Sequence, residues 1–238
     1  MCGIAGKVFH DGSRPVERDL LARMAASIRH RGPDDEGIWT APGVGLVHRR
    51  LAVIDLSPRG HQPMASADGT RHIVFNGEIY NHRELRRELE SAGHAFVSDS
   101  DTEVLLHLHE RHGVGMLDHL RGMFAFAIWD ARTRTLFAAR DRLGKKPFHY
   151  LHDGEKLIFA SEPRAILLDP SVAAAPDGDA IGDYLTFGYV PGARSALRGL
   201  AKLPPAHYLL LRDGRLDVRR WWDVRFLPKR TESEAELE

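Results

Sequence analysis

Apolar residues follow two spacings along the chain, and these predict short strands with a few helices between them. Short apolar runs bounded by turn residues predict buried strands. The clearest runs lie at 4–9, 45–55, 72–75, 124–130, 136–140, 149–151, 157–160, 208–211 and 216–222. Asp-Gly pairs at 153–154 and 213–214 separate neighbouring runs, as they do in hairpins. Eight to ten strands, mostly in hairpins, predict the α+β class with antiparallel sheets.

Helical spacing predicts a first helix with Pro15 in its first turn and an apolar face at 20, 21, 24, 25 and 28. Asn81 is expected to cap a second helix that runs through Leu89. A short strand at 96–99 is expected to lead into a third helix with an acidic start at 101–103. Further helical stretches are predicted at 163–168 and 177–186, and a capping box at 231–234 predicts another helix start.

Two loops carry glycines next to polar residues. Asn76 and Gly77 are expected at a strand-to-helix turn, where backbone N–H groups are free to bind a ligand. The segment 141–147 resembles a phosphate-binding loop because it contains Gly144-Lys145. It lacks the first glycine and the final Ser or Thr of that motif, so it predicts an ordinary turn.

Composition excludes several classes of protein. The 238 residues contain 33 basic and 33 acidic side chains, so the zero net charge argues against nucleic-acid binding and against a basic membrane-surface protein. No apolar run reaches the roughly 18 residues of a membrane-spanning helix, and the single cysteine cannot form an internal disulfide. The N-terminus also lacks the features of a secretory signal, so we expect a cytoplasmic location.

The single cysteine, Cys2, stands directly after the initiator methionine. Removal of Met1 would place a thiol and a free α-amine on one residue, which supplies a nucleophile together with its base. The amine titrates near ~7.7–8.0 and the thiol near ~8.5, so a proton can pass between them at neutral pH. On position alone, Cys2 is equally well interpreted as a small apolar residue near a chain end.

Further polar positions interrupt apolar patterns at Arg50, in the triplet 76–78 and at Asp101. A glutamine-like substrate needs a guanidinium for its α-carboxylate and carboxylates for its α-ammonium. It also needs donors for the oxyanion that forms during attack on its side-chain amide. A guanidinium in a buried-strand pattern itself requires an anionic partner. Histidines at 107, 109 and 112 lack a recognised metal-ligand spacing, so no metal site is expected.

Six motifs occur in the order found in one known family. They are Met-Cys-Gly-Ile-Ala-Gly (1–6), Arg-His-Arg-Gly-Pro-Asp (29–34), Arg-Leu-Ala-Val-Ile-Asp (50–55), Asn-Gly-Glu-Ile-Tyr-Asn (76–81), Ser-Asp-Thr-Glu (100–103) and Phe-Ala-Ser-Glu (159–162). Together they resemble the glutaminase domain of class II glutamine amidotransferases, in particular that of bacterial-type glutamine-hydrolysing asparagine synthetases. The resemblance implies an N-terminal-nucleophile hydrolase fold, a four-layer αββα sandwich of two antiparallel sheets.

The resemblance also implies a role for each candidate residue. Cys2 would be the nucleophile and its amine the base, while Asn76 and Gly77 would form the oxyanion hole. Arg50, Glu78 and Asp101 would hold the amino-acid end of glutamine, and no cofactor or metal would be required for its hydrolysis.

The family's synthetase region carries a Ser-Gly-Gly-x-Asp-Ser nucleotide loop, which this sequence lacks. We therefore expect a glutaminase domain at 2–225, followed at 226–238 by a linker and the start of a helix. A synthetase domain, C-terminal in the same polypeptide or on a partner, would use ATP and Mg²⁺, and the resemblance also allows a homodimer. The alternatives are a same-fold amidohydrolase acting on another amide and a non-catalytic glutamine-sensing module.

Overall fold

The computed structural model describes residues 1–227, which form two six-stranded antiparallel sheets. The first sheet contains β1 (Gly3–Phe9), β2 (Asp35–Ala41), β3 (Val44–Arg50), β8 (His149–His152), β9 (Lys156–Ala160) and β10 (Leu200–Lys202). Its strand order is β10-β8-β9-β1-β3-β2. The second contains β4 (Met64–Ala65), β5 (Arg71–Ile79), β6 (Gly122–Asp130), β7 (Thr135–Arg140), β11 (His207–Arg212) and β12 (Arg215–Arg220). Its order is β12-β11-β7-β6-β5-β4.

Helices connect and cover these sheets. They are α1 (Arg18–Ser27), α2 (His82–Ser91), α3 (Asp101–His112), α4 (Pro163–Ile166) and α5 (Gly178–Phe187). Short 3-10 turns lie at Arg29–Arg31, Pro58–Gly60 and Gly113–His119. None of the helices within 1–227 is both long and apolar enough to cross a membrane.

Three apolar clusters separate four layers. The cluster between the sheets includes Ile4, Val74, Trp129 and Phe159. A second cluster packs α1 and α4 on the first sheet, and a third packs α2 and α3 on the second. A sheet or helix must bury its apolar face against another element, so the two sheets are stacked and the helices lie outside them. The predicted αββα sandwich is confirmed.

Strand β1 is the central feature of the first sheet. It pairs with β3 on one side, where Gly3 faces Arg49, and with β9 on the other, where Ala5 faces Ala160. All seven of its residues are buried. The pairing fixes the start of the chain beside the end of β3, so Cys2 comes next to Arg50.

Most predicted elements are found close to their predicted positions, with local differences. Helix α1 begins at Arg18 rather than at Pro15, and its predicted apolar face is buried. Asn81 lies at the N-cap of α2, but its side chain bonds the His119 carbonyl and the Arg121 N–H instead of capping the helix. The capping-box prediction at 231–234 falls outside the described residues.

The strand predicted at 96–99 is wrong. This segment forms no ladder, because the Glu103 carboxylate accepts hydrogen bonds from the N–H groups of Val97 and Ser98, each at 2.8 Å. A side chain on α3 thus takes the place of a neighbouring strand. The turn predicted at 141–147 is confirmed, and the carboxylate of Asp141 accepts four of its surrounding N–H groups.

Candidate active site

All six sequence-predicted site residues line one pocket. The pocket lies where the beginning of β1, the end of β3 and the last residues of β5 meet the first turn of α3. Its lining also includes Met1, Gln62 and Lys146. Four separate stretches of the chain therefore deliver a thiol, a guanidinium, an amide and two carboxylates to the same cavity.

Cys2 is half-buried at the entry to β1. Its Sγ lies 3.6 Å from the Leu51 carbonyl oxygen, and the Leu51 N–H donates to the sulfur at 3.4 Å. Burial raises the pKa of the Cys2 thiol, although the Leu51 hydrogen bond and the charges of the N-terminus and Arg50 oppose it. A thiol with a raised pKa is protonated at neutral pH, so it needs a base to become a nucleophile.

Two sequence motifs hold Cys2 in place. The Arg31 Nε donates to the Cys2 carbonyl oxygen at 3.0 Å, while the Arg31 Nη1 reaches Glu162 Oε1 at 3.1 Å. The Ser161 N–H donates to the Ile4 carbonyl oxygen, and the Ser161 hydroxyl oxygen accepts from the Ile4 N–H. The motifs at 29–34 and 159–162 therefore position the start of β1, a role that their composition alone does not reveal.

Asn76 is almost completely buried, and neither its Oδ1 nor its Nδ2 has a hydrogen-bond partner among the described residues. Buried polar side-chain atoms are normally hydrogen-bonded, so an unpaired amide indicates a place for a partner. Because Asn76 lines the pocket, a polar group of a ligand could occupy that place. The amide is thus a donor available to bound substrate.

The predicted turn at Asn76-Gly77 is wrong, since both residues lie inside β5 and pair with β6. The free N–H arises in another way. The Phe75 N–H donates to the Gln62 side chain, and the Ile79 N–H donates to the Asp101 side chain. The N–H groups of these alternate residues therefore point away from β6. Gly77 lies between them with the same orientation, and it directs its N–H toward the pocket side of the strand.

Gly77 is required by close packing. A Cβ at this position would lie 2.3 Å from the Met123 carbonyl oxygen and 2.8 Å from the Cα of Phe124, its partner on β6. Facing residues approach most closely at positions of an antiparallel pair that exchange no hydrogen bonds. Any larger residue would push β5 and β6 apart at the pocket.

Arg50 is buried at the end of β3. Its guanidinium donates to the carbonyl oxygens of Ser57 (3.0 Å) and Asp55, so the fork is held by backbone atoms. The guanidinium bonds no carboxylate among residues 1–227, so the expected anionic partner is not found in that part of the chain. Two carbonyls fix its direction but do not neutralise its charge, which leaves it suited to an anionic ligand.

Asp101 is the first residue of α3 and is 4% exposed. Burial raises the pKa of its carboxyl to about 6, although its Oδ2 accepts the Ile79 N–H at 3.0 Å. Glu78 lies two residues after Asn76 on β5 and also faces the pocket. The pocket is therefore lined by these two carboxyl groups as well as by the guanidinium of Arg50.

Two pocket residues were missed from the sequence. Gln62 bridges both walls, since its Oε1 accepts the Phe75 N–H at 2.7 Å and its Nε2 donates to Thr102 Oγ1 at 3.1 Å. Lys146 is 6% exposed, and burial lowers the pKa of its ammonium. Gln62 was missed because a polar residue in a loop is not unusual. Lys146 was missed because the turn at 141–147 was analysed only for a phosphate-binding motif at Gly144-Lys145.

The histidines at 107, 109 and 112 do not converge on one point. His107 faces His94, whereas His109 stacks on Phe137 and His112 lies beside His119. None of the three belongs to the pocket lined by Cys2.

A family model described as a glutamine amidotransferase domain matches residues 1–222. The chain belongs to the glutamine amidotransferase domain family. The family resemblance stated from the six motifs is confirmed, and so is the expectation of an enzyme domain. The division at residue 225 stays a prediction.

Two curated proteins are similar to nearly the whole of this chain. Asparagine synthetase (glutamine-hydrolyzing) 3 of Bacillus subtilis (strain 168) is 41% identical over 228 residues, which are 94% of this chain and 37% of that protein. Amidase chry2 of Gibberella zeae is 36% identical over 246 residues, or 96% of this chain and 35% of that protein. The chain thus spans little more than a third of the length of these relatives.

A solved structure shows the same fold. Glutamine phosphoribosylpyrophosphate amidotransferase from B. subtilis, complexed with ADP and GMP, matches with a TM-score of 0.66 at 20% identity. The match covers 92% of this chain and 49% of that one. Together with the two stacked antiparallel sheets, this likeness confirms the N-terminal-nucleophile hydrolase fold of the glutamine amidotransferase domain.

Proposed function

We propose that this domain hydrolyses glutamine to glutamate and ammonia through a thioester on Cys2. The observation that carries the proposal is the buried amide of Asn76, which has no hydrogen-bond partner among residues 1–227 and lines the same pocket as Cys2 and Arg50. An amide without a partner, close to a nucleophile, is the arrangement expected of an oxyanion donor. Membership of the glutamine amidotransferase family supports glutamine as the substrate.

Substrate orientation follows from the charges in the pocket. The guanidinium of Arg50 binds the α-carboxylate of glutamine, and the carboxylates of Glu78 and Asp101 bind its α-ammonium. These contacts place the side-chain amide carbon next to the Cys2 sulfur. The same contacts predict that a simple primary amide is a poor substrate, since it lacks both charged groups.

The first half of the reaction forms the thioester. After removal of Met1, the Cys2 amine accepts the thiol proton while the sulfur bonds to the amide carbon. The Asn76 Nδ2 and the Gly77 N–H donate to the oxyanion of the tetrahedral intermediate. The amine then returns the proton to the departing nitrogen, the C–N bond breaks, and ammonia leaves.

Water completes the cycle by attacking the thioester carbon. The Cys2 amine accepts a proton from this water, and the same donors bind the second oxyanion. The C–S bond breaks, glutamate is released, and the thiol regains its proton. Neither a metal nor a nucleotide takes part in this sequence.

We further propose that the ammonia serves ATP-dependent amidation of aspartate to asparagine by a synthetase domain outside residues 1–238. The support is the similarity to glutamine-hydrolysing asparagine synthetases, of which this chain spans only part. That second reaction would require ATP and Mg²⁺. A cytoplasmic location, the pairing with a C-terminal synthetase domain and a homodimeric assembly stay predictions.

Processing of the N-terminus provides the decisive test, because Met1 lines the pocket beside Cys2. Retained Met1 would replace the basic amine of Cys2 by a non-basic amide. We expect mass spectrometry to find the mature chain starting at Cys2, and a preparation that keeps Met1 to be inactive. Full glutaminase activity in the unprocessed form would contradict the mechanism, and Cys2→Ala, which removes the nucleophile, serves as the inactive control.

Product analysis distinguishes the alternatives. Purified 1–238 should release glutamate and ammonia from glutamine without ATP or added metal, and should make no asparagine when aspartate and Mg-ATP are present. Asparagine appearing with AMP and pyrophosphate would reveal an unrecognised nucleotide site. Faster turnover of another amide would favour the alternative amidohydrolase, and glutamine binding without turnover by the mature chain would favour a sensing module.

A further inference from the structure

Two imidazoles and a carboxylate converge near the C-terminal end of α3, away from the glutamine pocket. The Nδ1 atoms of His94 and His107 are 3.1 Å apart. The Oε2 of Glu110 lies 3.8 Å from the His94 Nδ1 and 3.7 Å from the His107 Nδ1. These three are the only group of this kind among the described residues.

The backbone at the end of α2 places His94. The His94 N–H donates to the Leu89 carbonyl and the Gly93 N–H to the Glu90 carbonyl, each at 3.0 Å, which is the hydrogen-bond pattern of a Schellman motif. Gly93 has φ +92°, a conformation that favours glycine. His107 and Glu110 are three residues apart, so they share one face of α3.

A buried carboxylate, that of Glu103, lies on the side of the His107 ring that faces away from His94 and Glu110. The His107 Nε2 faces the Glu103 Oε1 at 3.9 Å, and Glu103 also accepts hydrogen bonds from the Ser98 N–H (2.8 Å) and hydroxyl (2.5 Å). An ionised carboxylate on that side favours a proton on Nε2, which leaves the Nδ1 lone pair directed at His94 and Glu110. In metal sites the second ring nitrogen of a histidine ligand commonly donates to a carboxylate, and a small rotation of the ring would bring the His107 Nε2 to Glu103 in that way.

The spacing of the three atoms fits a tetrahedral ion. Zinc bonds of roughly 2.0–2.2 Å to nitrogen and oxygen imply ligand-to-ligand distances of about 3.3–3.6 Å. The observed separations of 3.1, 3.7 and 3.8 Å lie within a few tenths of an ångström of that range. The other oxygen of Glu110 is 4.0 Å from Arg71 Nη1, so only Oε2 is directed at the histidines.

We propose that His94, His107 and Glu110 bind a divalent transition-metal ion of the zinc class, with water as the fourth ligand. Two imidazoles and one carboxylate form a donor set that zinc accepts. The ion would tie the loop after α2 to α3. Glu110 follows Asp101 by nine residues, about 13–14 Å along the helix, and none of the three ligands lines the pocket of Cys2, so the ion would take no part in glutamine hydrolysis.

Titration of tag-free, chelator-treated 1–238 with Zn²⁺ tests this site. Calorimetry should give one ion per chain with a micromolar or lower Kd, and Co²⁺ should give the absorption bands of a tetrahedral complex. At a hundredfold excess of free Zn²⁺ over the Kd, the Tm should rise by roughly 5–10 °C. Absence of saturable binding would overturn the proposal and leave a hydrogen-bonded histidine pair.

Matched variants distinguish this site from other histidines. His94→Gln and Glu110→Gln change partly exposed side chains, so the fold should persist, and each should weaken Zn²⁺ binding at least tenfold. His10→Gln is the control, because His10 and His152 have their Nε2 atoms 3.2 Å apart but belong to no three-ligand group among residues 1–227. Loss of binding in His10→Gln, or unchanged binding in His94→Gln, would refute the assignment.

Discussion

Replacing Asn76 by alanine separates catalysis from stability. The amide has no partner among the described residues, so Asn76→Ala removes no hydrogen bond within them. A buried unsatisfied polar group costs about 1–3 kcal/mol, and its removal offsets the packing lost with the side chain. We therefore expect the free energy of unfolding to change by less than about 1 kcal/mol.

The effect on the rate should be large. An oxyanion donor forms its full hydrogen bond only in the transition state, and its loss lowers kcat by about 10²–10³, equivalent to about 2.7–4 kcal/mol. KM should change little, because the proposed mechanism assigns the amino-acid end of glutamine to other residues of the pocket. Steady-state release of glutamate by the mature enzyme measures both constants, and urea unfolding measures stability.

Gln62 provides a matched control in the same pocket. It is also a buried amide, but its two ends are bonded to Phe75 and Thr102. Gln62→Ala leaves the buried Phe75 N–H unpaired and should destabilise the domain by about 1–3 kcal/mol. If Asn76→Ala kept kcat within threefold of the parent, or lost as much stability as Gln62→Ala, the oxyanion assignment would be wrong.

Three further predictions concern the rest of the pocket. Arg50→Ala should raise KM for glutamine about 10- to 150-fold with a smaller effect on kcat, because a bond to a charged group contributes about 1.5–3 kcal/mol; a pure kcat effect in steady-state assays would contradict this. Because burial raises the pKa of Asp101 to about 6, its ionised form is lost as the pH falls through 6, and kcat/KM should fall with it. If the pH profile of Asp101→Asn shows the same fall on the acid side, this carboxyl is not its source. Gly77→Ala should cost about 1–3 kcal/mol in urea unfolding, since its Cβ would meet the Met123 carbonyl, whereas full stability would show that β5 can shift.

Sequence pattern predicted the elements whose apolar spacing is strong. The face of α1 that includes Leu21 and Met24 is buried where the helical period places it. The candidate residues also line one pocket, and the polar ones could be selected because a polar residue inside an apolar pattern is costly to bury unless it has a partner or a ligand. Such interruptions remain visible in the sequence even though the residues are distant along the chain.

Local geometry was harder to predict because long-range contacts decide it. Asn76-Gly77 has the composition of a turn, yet the pairing with β6 keeps it extended. The segment after Phe96 has the composition of a strand, but the carboxylate of Glu103 satisfies its N–H groups. Neither partner can be identified from neighbouring residues, so propensity alone gave the wrong conformation in both places.

The position of β1 between β3 and β9 has a consequence for synthesis of the protein. Its second neighbour is made at residues 156–160, so the central strand cannot be completed until then. At about 5–20 residues per second, roughly 8–32 s pass between the appearance of Cys2 and that of β9. We expect the terminus to remain accessible for removal of Met1 during this interval. Cys2 would thus be exposed early, whereas the pocket around it would be completed late. A nascent chain would therefore not hydrolyse glutamine before its domain has folded.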